Sequence, residues 1–311
     1  MLTTTKKILA AADRGGYAVG AFNTNNLEIT KAIIEAAVEA KSPVIIQTSE
    51  GAIGYAGLGY LTAIIREAAR APVPVAMHLD HGKDPKTIRA AIRSGYTSVM
   101  VDASSLPFGK NVTETKKVVG WAHAKGISVE AEIGAISGVE DLVSVSEREA
   151  FFTDPEEAAE FVRLTGCDSL AISVGTAHGA FKSKIKPKLD IGRLAEIDRL
   201  VKIPLVLHGA SGIPQGLVRR LDRECERLGD CGRLAGAVGI PDTEIRKAIR
   251  NGIRKINVDS DLRIAFTVGL RDTILDERSS FDPRRLMRRS GEEIRKTVSA
   301  KMLLFGSSGR A

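Results

Sequence analysis

Cysteine is scarce in this chain, which holds only Cys167, Cys225 and Cys231, with no CxxC pair among them. A disulfide framework is typical of small secreted chains with an even and denser set of cysteines. At 311 residues the chain is long enough to bury a large core without such bridges. We therefore expect three free thiols.

Long apolar runs are also missing. No stretch approaches the roughly 18 consecutive apolar residues that would indicate a membrane-spanning helix, and the N-terminal residues 1–7 lack the apolar segment of a signal peptide. We therefore expect a cytoplasmic protein with no membrane partner.

The basic residues are numerous, but they do not form a single tract interleaved with aromatic residues, which make up only 5% of the chain. A nucleic-acid partner is therefore not expected. The net charge of +7 still favours anionic partners, and phosphorylated metabolites satisfy this preference. The densest basic group is the arginine cluster of Arg284, Arg285, Arg288 and Arg289, which could form a solvated face or a contact between subunits.

Short runs rich in valine and isoleucine alternate with helical patterns along the whole chain. Eight strands are predicted, at residues 17–23, 44–49, 73–80, 97–102, 127–133, 169–174, 205–208 and 253–258. Helices are predicted near residues 27–40, 61–69, 85–93, 112–124, from 154, 190–200, within 215–251, 262–276 and 285–302. This alternation predicts an α/β fold, a (β/α)₈ TIM barrel with an additional C-terminal helix.

An open doubly wound sheet is the alternative, but that fold usually has a glycine-rich turn after its first strand. Here the first predicted strand runs into Phe22-Asn23-Thr24-Asn25-Asn26, without such a turn. No shift in composition marks a second domain, so we expect residues 1–311 to form one catalytic domain. Only the segment 222–241 looks like a long insertion, within the seventh βα unit.

Histidines are few, yet four of the five fall at the C-terminal ends of predicted strands. In a barrel of this type the chemistry lies at that end of the strands. Three imidazoles with an open fourth position form a catalytic zinc site. His81, His178 and His208 each directly precede a glycine, which favours them as the three ligands. For His78, the interpretation as a buried, hydrogen-bonded histidine is favoured.

Acidic residues accompany the histidines at the same strand ends. Asp80 directly precedes His81, where a carboxylate can move a proton to or from a bound substrate. Its alternative role is to orient a neighbouring histidine. Asp102 and Glu132 could bind a second metal ion or support the first.

Glycines and hydroxyl groups follow strands six to eight. Phosphate groups in such barrels are often held by the backbone N–H groups of these loops. The candidates are Gly179, Gly209, Gly212, Ser211 and the run Asn257–Ser260. They predict a phosphate site beside the metal.

Several of these segments together carry a family resemblance. AFNTNNLE, HLDHG, VEAEIG, GTAHG, LHGASG, INVDSDLR and the closing LFGSSGRA resemble class II fructose-bisphosphate aldolases and the related tagatose-bisphosphate aldolases. HLDHG, GTAHG and HGASG at these spacings are the most specific part. The resemblance extends over essentially the whole chain.

The resemblance implies a role for each candidate residue. It implies zinc ligands at His81, His178 and His208, and a proton carrier at Asp80. It implies a secondary metal position at Asp102 and Glu132, for a second divalent or a monovalent cation. It implies substrate contacts at Ser49, on the aldehyde side, and, on the dihydroxyacetone phosphate side, at Gly179, Gly209, Ser211, Asn257, Asp259 and Ser260.

The implied reaction is the reversible, zinc-dependent cleavage of fructose 1,6-bisphosphate into two triose phosphates, as in glycolysis and gluconeogenesis. Tagatose bisphosphate is the alternative ketose, and a non-catalytic sugar-phosphate-binding protein is an alternative of another class. A metal-dependent hydrolase is a further rival, but it would not need a phosphate site.

A Schiff-base aldolase would need a lysine at the barrel centre. The lysine on a predicted strand, Lys255, lies early in strand eight and so toward the wrong end.

Members of the family that this sequence resembles are oligomers, and they use an arginine near the C-terminal end of the chain to bind the second substrate phosphate. We therefore expect a homodimer or homotetramer in which the arginine cluster lies near a neighbour's active site.

Overall fold

The computed structural model describes residues 1–134, 137–140, 143–145, 152–178, 188–212, 214–229 and 239–311, with the backbone alone for 137–140, 143–145 and 177–178. The strands in these ranges are β1 (Val19–Asn23), β2 (Val44–Ser49), β3 (Val75–Gly82), β4 (Ser98–Val101), β5 (Ser128–Ile133), β6 (Ser137–Glu140), β7 (Val143–Val145), β8 (Ser169–Ile172), β9 (Ala177–His178), β10 (Leu205–Leu207) and β11 (Ile253–Val258). The helices are α1 (Thr5–Gly15), α2 (Leu27–Glu39), α3 (Glu50–Ala56), α4 (Leu58–Ala68), α5 (Pro85–Ser94), α6 (Phe108–His123), α7 (Pro155–Thr165), α8 (Ile191–Val201), α9 (Gln215–Leu228), α10 (Asp242–Arg250), α11 (Ser260–Asp276) and α12 (Pro283–Phe305).

Eight of the described strands close into a parallel barrel, in the order β1-β11-β10-β8-β5-β4-β3-β2. All eight were predicted from the sequence, and β2 and β11 have the predicted bounds. Helices cover the outside of the barrel, and α12 is the additional C-terminal helix, packed on α11 and α2. The predicted (β/α)₈ barrel is therefore confirmed.

Helix starts follow the capping signals in the sequence. Asp154 accepts a hydrogen bond from the backbone N–H of Glu157, and Pro155 occupies the first turn of α7, as predicted. Asp84 caps α5 in the same way, again with a proline in the first turn. These caps fix where the chain turns from a barrel strand into its helix.

Several parts of the chain differ from the prediction. The helices α1 and α3 were not predicted, and the described residues of the stretch 215–251 form two helices, α9 and α10. Residues 230–238 of the predicted insertion lie outside the described residues. The strands β7, β6 and β9 form a separate three-stranded sheet, in which β6 pairs with β9.

The first helix packs against the barrel strands. Its apolar side chains Ile8, Leu9 and Ala12 pack with small and branched residues from β1, β2 and β3. At its start, the Thr5 hydroxyl bonds to Ser98 and Ser128, two buried serines at the starts of β4 and β5. A helix that sequence patterning missed therefore packs beside the N-terminal ends of the strands, opposite the end expected to carry the chemistry.

One expectation about cysteine is wrong. Cys167 is a free, buried thiol, but Cys225 on α9 forms a disulfide bond. Low cysteine content predicts the absence of a disulfide framework, not the absence of every single disulfide bond.

No helix among the described residues is long and apolar enough to cross a membrane.

Candidate active site

The end of β3 brings two consecutive side chains, those of Asp80 and His81, close together. Normally neighbouring strand residues point to opposite faces, but His81 has a left-handed backbone with φ of 46°. The register with β4 shifts between Leu79 and Gly82, where a Cβ on Gly82 would lie 2.5 Å from the Met100 carbonyl oxygen. Such a backbone costs a non-glycine residue on the order of 1–3 kcal/mol and is found mostly at functional sites. The bulge therefore brings Asp80 and His81 to the same point.

Three side-chain amides hold the Asp80 carboxylate. Asn23 and Gln47 donate to Oδ2 at 3.0 and 3.1 Å, and Asn257 donates to Oδ1 at 3.0 Å. The donors come from β1, β2 and β11, and Asp80 itself is 3% exposed. A carboxylate bound from three strands has one fixed orientation.

His81 is oriented by a second carboxylate. Its Nδ1 lies 3.0 Å from Oδ2 of Asp102, the residue that follows β4. The Ser104 hydroxyl donates to Asp102 Oδ1 at 2.9 Å and fixes the carboxylate in turn. Because a carboxylate only accepts, this contact places a proton on Nδ1 and directs Nε2 of His81 away from Asp102.

His208, which follows β10, lies between two glutamates of β5. Its Nε2 is 2.9 Å from Glu130 Oε1, and its Nδ1 is 3.1 Å from Glu132 Oε2. The rings of His208 and His81 stand edge to face with their centroids 4.7 Å apart. Glu130 and Glu132 are two residues apart on β5, so their side chains lie on the same face of the strand. One strand therefore contacts both nitrogens of the His208 imidazole.

The charges in this cluster shift one another's pKa. Burial acts against charge on His81, but Asp80 and Asp102 outweigh it and raise the pKa of His81 to about 10. Burial would raise the pKa of Asp80, yet His81 and Lys255 outweigh burial and lower it. His78 behaves differently, because burial and Lys255 lower its pKa to about 3. His78 is fully buried and its Nδ1 bonds to Ser98 at 2.8 Å, as the favoured interpretation expected.

Two overlapping groups of these side chains have a composition that fits a divalent metal ion. Asp80, His81 and His208 place one potential ligand atom each within 4.8 Å of one another, and so do His81, Asp102 and Glu132. Imidazole nitrogens mixed with carboxylate oxygens suit zinc and its first-row neighbours. The sequence named all five residues, and the structure brings all five together.

A cavity of about 370 Å³ lies beside this cluster. Asn23, which holds Asp80, lines it together with Ser49, Tyr55, Asp259 and Arg263. Ser49 caps α3, and Asp259 forms a two-bond ion pair with Arg263, at 2.9 and 2.8 Å. The cavity is large enough for a small phosphorylated molecule.

The other predicted phosphate residues that the structure describes follow strands at the same end of the barrel. Gly209 and Ser211 follow β10, and Gly209 has the left-handed φ of 58° that favours glycine. Ser260 begins α11, directly after Asp259. His178 ends β9, but only its backbone is described, and Gly179 lies outside the described residues.

Comparison with known proteins gives the family. The family model "Fructose-bisphosphate aldolase class-II" matches residues 3–310. The chain belongs to the class II fructose-bisphosphate aldolase family. It is 49% identical over 311 residues to a fructose-bisphosphate aldolase of Thermus caldophilus, and 43% identical over 312 residues to one of Helicobacter pylori strain 26695, with each chain covered completely. The resemblance seen in the sequence is therefore confirmed, and this class II aldolase is a lyase.

Solved structures support the same conclusion. The chain is similar to the YdjI aldolase from Escherichia coli K12, with a TM-score of 0.81, 34% identity and complete coverage of both chains. It is also similar to a putative fructose-1,6-biphosphate aldolase from Coccidioides immitis, with a TM-score of 0.80 and 30% identity over 98% of this chain and 96% of that one. Class II aldolases use a divalent metal ion and act on phosphorylated sugars, which agrees with the cluster and the cavity.

Sequence reasoning missed several side chains of this aldolase site. Asn23 ends β1, and Gln47 lies in the C-terminal half of β2, so a polar residue at this end of a strand could have assigned both to the site. Arg263 lies four residues after Asp259, the spacing of an ion pair on one helix face. The fourth missed feature, the pairing of Glu130 with Lys255 across the barrel, has no signal in sequence spacing.

Proposed function

We propose that this aldolase catalyses the reversible cleavage of fructose 1,6-bisphosphate into dihydroxyacetone phosphate and glyceraldehyde 3-phosphate, with zinc as its metal. The observation that carries the proposal is the convergence of Asp80 with His81 and His208, beside a cavity that Ser49 and Asp259 line. The names of the relatives from Thermus caldophilus and Helicobacter pylori support the substrate.

The proposed zinc ligands are His81, His178 and His208. Asp102 and Glu132 then form the secondary position, which a second divalent or a monovalent cation would use. When bound, zinc supplies Lewis-acid polarisation of the substrate carbonyl. The support for two of the histidines is their fixed orientation, since Asp102 holds His81 and the β5 glutamates hold His208.

Asp80 is the proposed acid–base group. In cleavage it accepts the proton of the hydroxyl whose oxygen becomes the aldehyde oxygen, while the bond between C3 and C4 breaks. In condensation it returns that proton. Its lowered pKa keeps it ionised at neutral pH, the state that a base requires. The amides of Asn23, Gln47 and Asn257 keep its oxygens in place during both directions.

The substrate contacts are proposed along the cavity wall and the neighbouring loops. Ser49 would meet the aldehyde part. The dihydroxyacetone phosphate part would contact Gly179, Gly209, Ser211, Asn257, Asp259 and Ser260. Asp259 already binds the Arg263 guanidinium, and this pair would place a cation at the cavity wall.

Steady-state cleavage assays on fructose 1,6-bisphosphate and tagatose 1,6-bisphosphate test the proposal. We expect a higher kcat/KM for the fructose compound. The opposite ranking would make this chain a tagatose-bisphosphate aldolase. Binding of both compounds by the zinc-loaded protein without cleavage of either would leave a sugar-phosphate-binding protein.

The arginine cluster is proposed to serve the second phosphate in a neighbouring subunit of a homodimer or homotetramer. Within the chain these guanidiniums pair with Asp276, Glu277 and Asp282, and the Arg284 side chain is 91% exposed. Truncation after Asp276 would remove the buried face of α12, so a point substitution is the better test. Arg284→Ala should raise KM for the bisphosphate more than for fructose 1-phosphate.

The exposed Arg70, which pairs with Glu67 at 3.2 Å after α4, is the matched control for Arg284. Arg70→Ala should leave both KM values unchanged. Light scattering should show an oligomer. A fully active monomer, or an Arg284→Ala protein with unaltered KM for the bisphosphate, would remove the proposed role of the arginine cluster.

A further inference from the structure

A buried ion pair crosses the barrel beneath the candidate metal site. Lys255 of β11 places its Nζ 3.0 Å from Oε1 and 2.9 Å from Oε2 of Glu130 on β5, and both side chains are completely buried. The strands β10 and β8 lie between β11 and β5 in the barrel, so the pair spans its interior. Burying two charges is costly unless they are paired in good geometry, so this arrangement requires a reason.

The pair has a third member, because Glu130 Oε1 also lies 2.9 Å from His208 Nε2. A carboxylate bound by an ammonium group can only accept from the imidazole, so the hydrogen bond places a proton on Nε2. The other nitrogen, Nδ1, lies 3.1 Å from Oε2 of Glu132, a carboxylate of the second candidate metal group, and beside the ring of His81. A proton shared between Nδ1 and Glu132 would be released when a metal ion binds there. Glu130 therefore determines which nitrogen of His208 points toward the candidate metal site.

His78 lies beside the second oxygen of the Glu130 carboxylate. Its Nε2 lies 3.8 Å from Glu130 Oε2, and its Nδ1 bonds to the Ser98 hydroxyl, which in turn accepts from Thr5. The carboxylate is enclosed by Lys255, His208 and His78. This enclosure excludes other orientations of Glu130.

We propose that Glu130 and Lys255 are positioning residues for the metal centre: Glu130 holds His208 with Nδ1 toward the metal, and Lys255 balances the charge of Glu130. The inference rests on the proposed function in one respect, that His208 is a metal ligand. A histidine ligand usually donates its second N–H to a partner that orients the ring and strengthens the donor nitrogen. Here the partner of His208 is the buried Glu130, and the counter-ion of Glu130 is Lys255 from β11, across the barrel interior.

Zinc affinity, measured by competition with a chromogenic chelator, is the first readout. Glu130→Met removes the carboxylate acceptor and keeps a side chain of similar length, and we expect zinc binding to weaken by roughly 10- to 100-fold, the usual cost of losing such a partner. Because this variant leaves Lys255 unpaired, Glu130→Met with Lys255→Met is the second variant, since it removes both charges together. We expect the same loss of affinity from it. The absorption spectrum of the cobalt-substituted double variant should differ from that of the wild type.

The matched control breaks another buried lysine–carboxylate pair. Lys301 of α12 lies 3.0 Å from Oδ1 of Asp261, and both groups are almost fully buried. Lys301→Met therefore repeats the loss of a buried ion pair away from His208. We expect it to lower thermal stability without changing zinc affinity, which separates positioning from a general structural effect.

The protonation and metal binding of the two His208 nitrogens can also be measured on the wild-type protein, where no substitution can disturb folding. Nitrogen-15 spectra of histidine-labelled, zinc-loaded protein should show His208 bound through Nδ1 with a proton on Nε2. Zinc bound through Nε2 of His208 would overturn the inference, and so would wild-type affinity in the double variant.

The proposed function can fail separately. A wild-type protein that binds zinc but does not cleave the ketose would remove the function and leave the positioning inference in place.

Discussion

The inward and outward faces of the barrel strands differ in chemistry. On β3, the side chains Val75, Met77 and Leu79 pack outward into the apolar layer under the helices, while His78 and Asp80 point into the barrel. Strand β5 repeats the pattern, with Val129 and Ala131 outward and Glu130 and Glu132 inward. Alternation along one strand thus separates two kinds of interior.

The two interiors are held together by different forces. The outer layer is stabilised by apolar burial, which has no preferred direction and tolerates changes of similar volume. The inner face is stabilised by directed hydrogen bonds, such as the three amides on Asp80 and the pair on Glu130. A change on the outer layer should therefore reduce stability, whereas a change on the inner face should reduce turnover.

The largest effect should come from Asp80→Asn on the inner face. The amide keeps the size of the carboxylate but cannot carry the proton, so we expect kcat to fall by about 10²-fold or more with the metal still bound. Steady-state kinetics with metal analysis checks this result.

Asp168→Asn is the control for Asp80→Asn. Asp168 also bonds to a histidine, His123 at 2.8 Å, but it directly precedes β8, at the opposite end of the barrel. We expect this variant to keep its kcat. A near wild-type kcat for Asp80→Asn would reduce Asp80 to a supporting role, with Glu132 as the next candidate for the acid.

The second effect tests the outer layer. Phe161 of α7 is completely buried, with its ring centroid 6.0 Å from that of Phe108. Phe161→Ala should lower the free energy of unfolding by about 3–5 kcal/mol through lost burial and a cavity, with kcat of the folded protein retained. Denaturant unfolding and kinetics on the same sample measure both quantities.

Phe281→Ala serves as the comparison for Phe161→Ala, because this ring is 91% exposed. Its effect on the unfolding free energy should stay within about 0.5 kcal/mol. A Phe161→Ala protein that stays stable but loses turnover would contradict the division between the two faces.

The smallest effect concerns a buried carboxylate among the outer helices. Burial and the neighbouring Asp272 raise the pKa of Glu224 on α9 to about 8, although Arg220 opposes this shift. The folded chain therefore holds a proton that the unfolded chain releases near its ordinary value of about 4.3. The contribution of this proton to the free energy of unfolding is fully present below about pH 4.3, and it is lost as pH rises toward about 8.

Glu224→Gln should remove that decline, so its melting temperature should exceed that of the wild type most clearly at the upper end of this range. Calorimetry across the range measures the difference, with the exposed Glu226→Gln on the same helix as control. A pH dependence that is the same in Glu224→Gln and in the wild type would contradict the shift. Turnover should be unaffected in both variants.

Apolar patterning made the outer layer predictable from the sequence. Each barrel strand contributes a run of branched residues, so all eight strands and the closed barrel could be predicted. Helix α1 escaped notice because it precedes the first strand of the repeating unit, and its packing against β1, β2 and β3 depends on the closed barrel.

The candidate site was predictable where residue types are distinctive. Histidines are rare in this chain, so His81 and His208 stood out, and with them Asp80 and Asp102. The backbone of His81, which lets it join Asp80, could not be predicted, because alternation places consecutive residues on opposite faces. Contacts across the barrel, such as Lys255 with Glu130, depend on strand order and stagger, which spacing along the chain does not encode.

The central claim is that the inward cluster of Asp80, His81 and His208 supports cleavage only with a divalent metal ion. The most direct measurement is the cleavage of fructose 1,6-bisphosphate before and after prolonged chelation, with the bound metal counted by elemental analysis. We predict that turnover disappears with the metal and returns when zinc is added. Full turnover in a protein shown to be free of metal would contradict the claim.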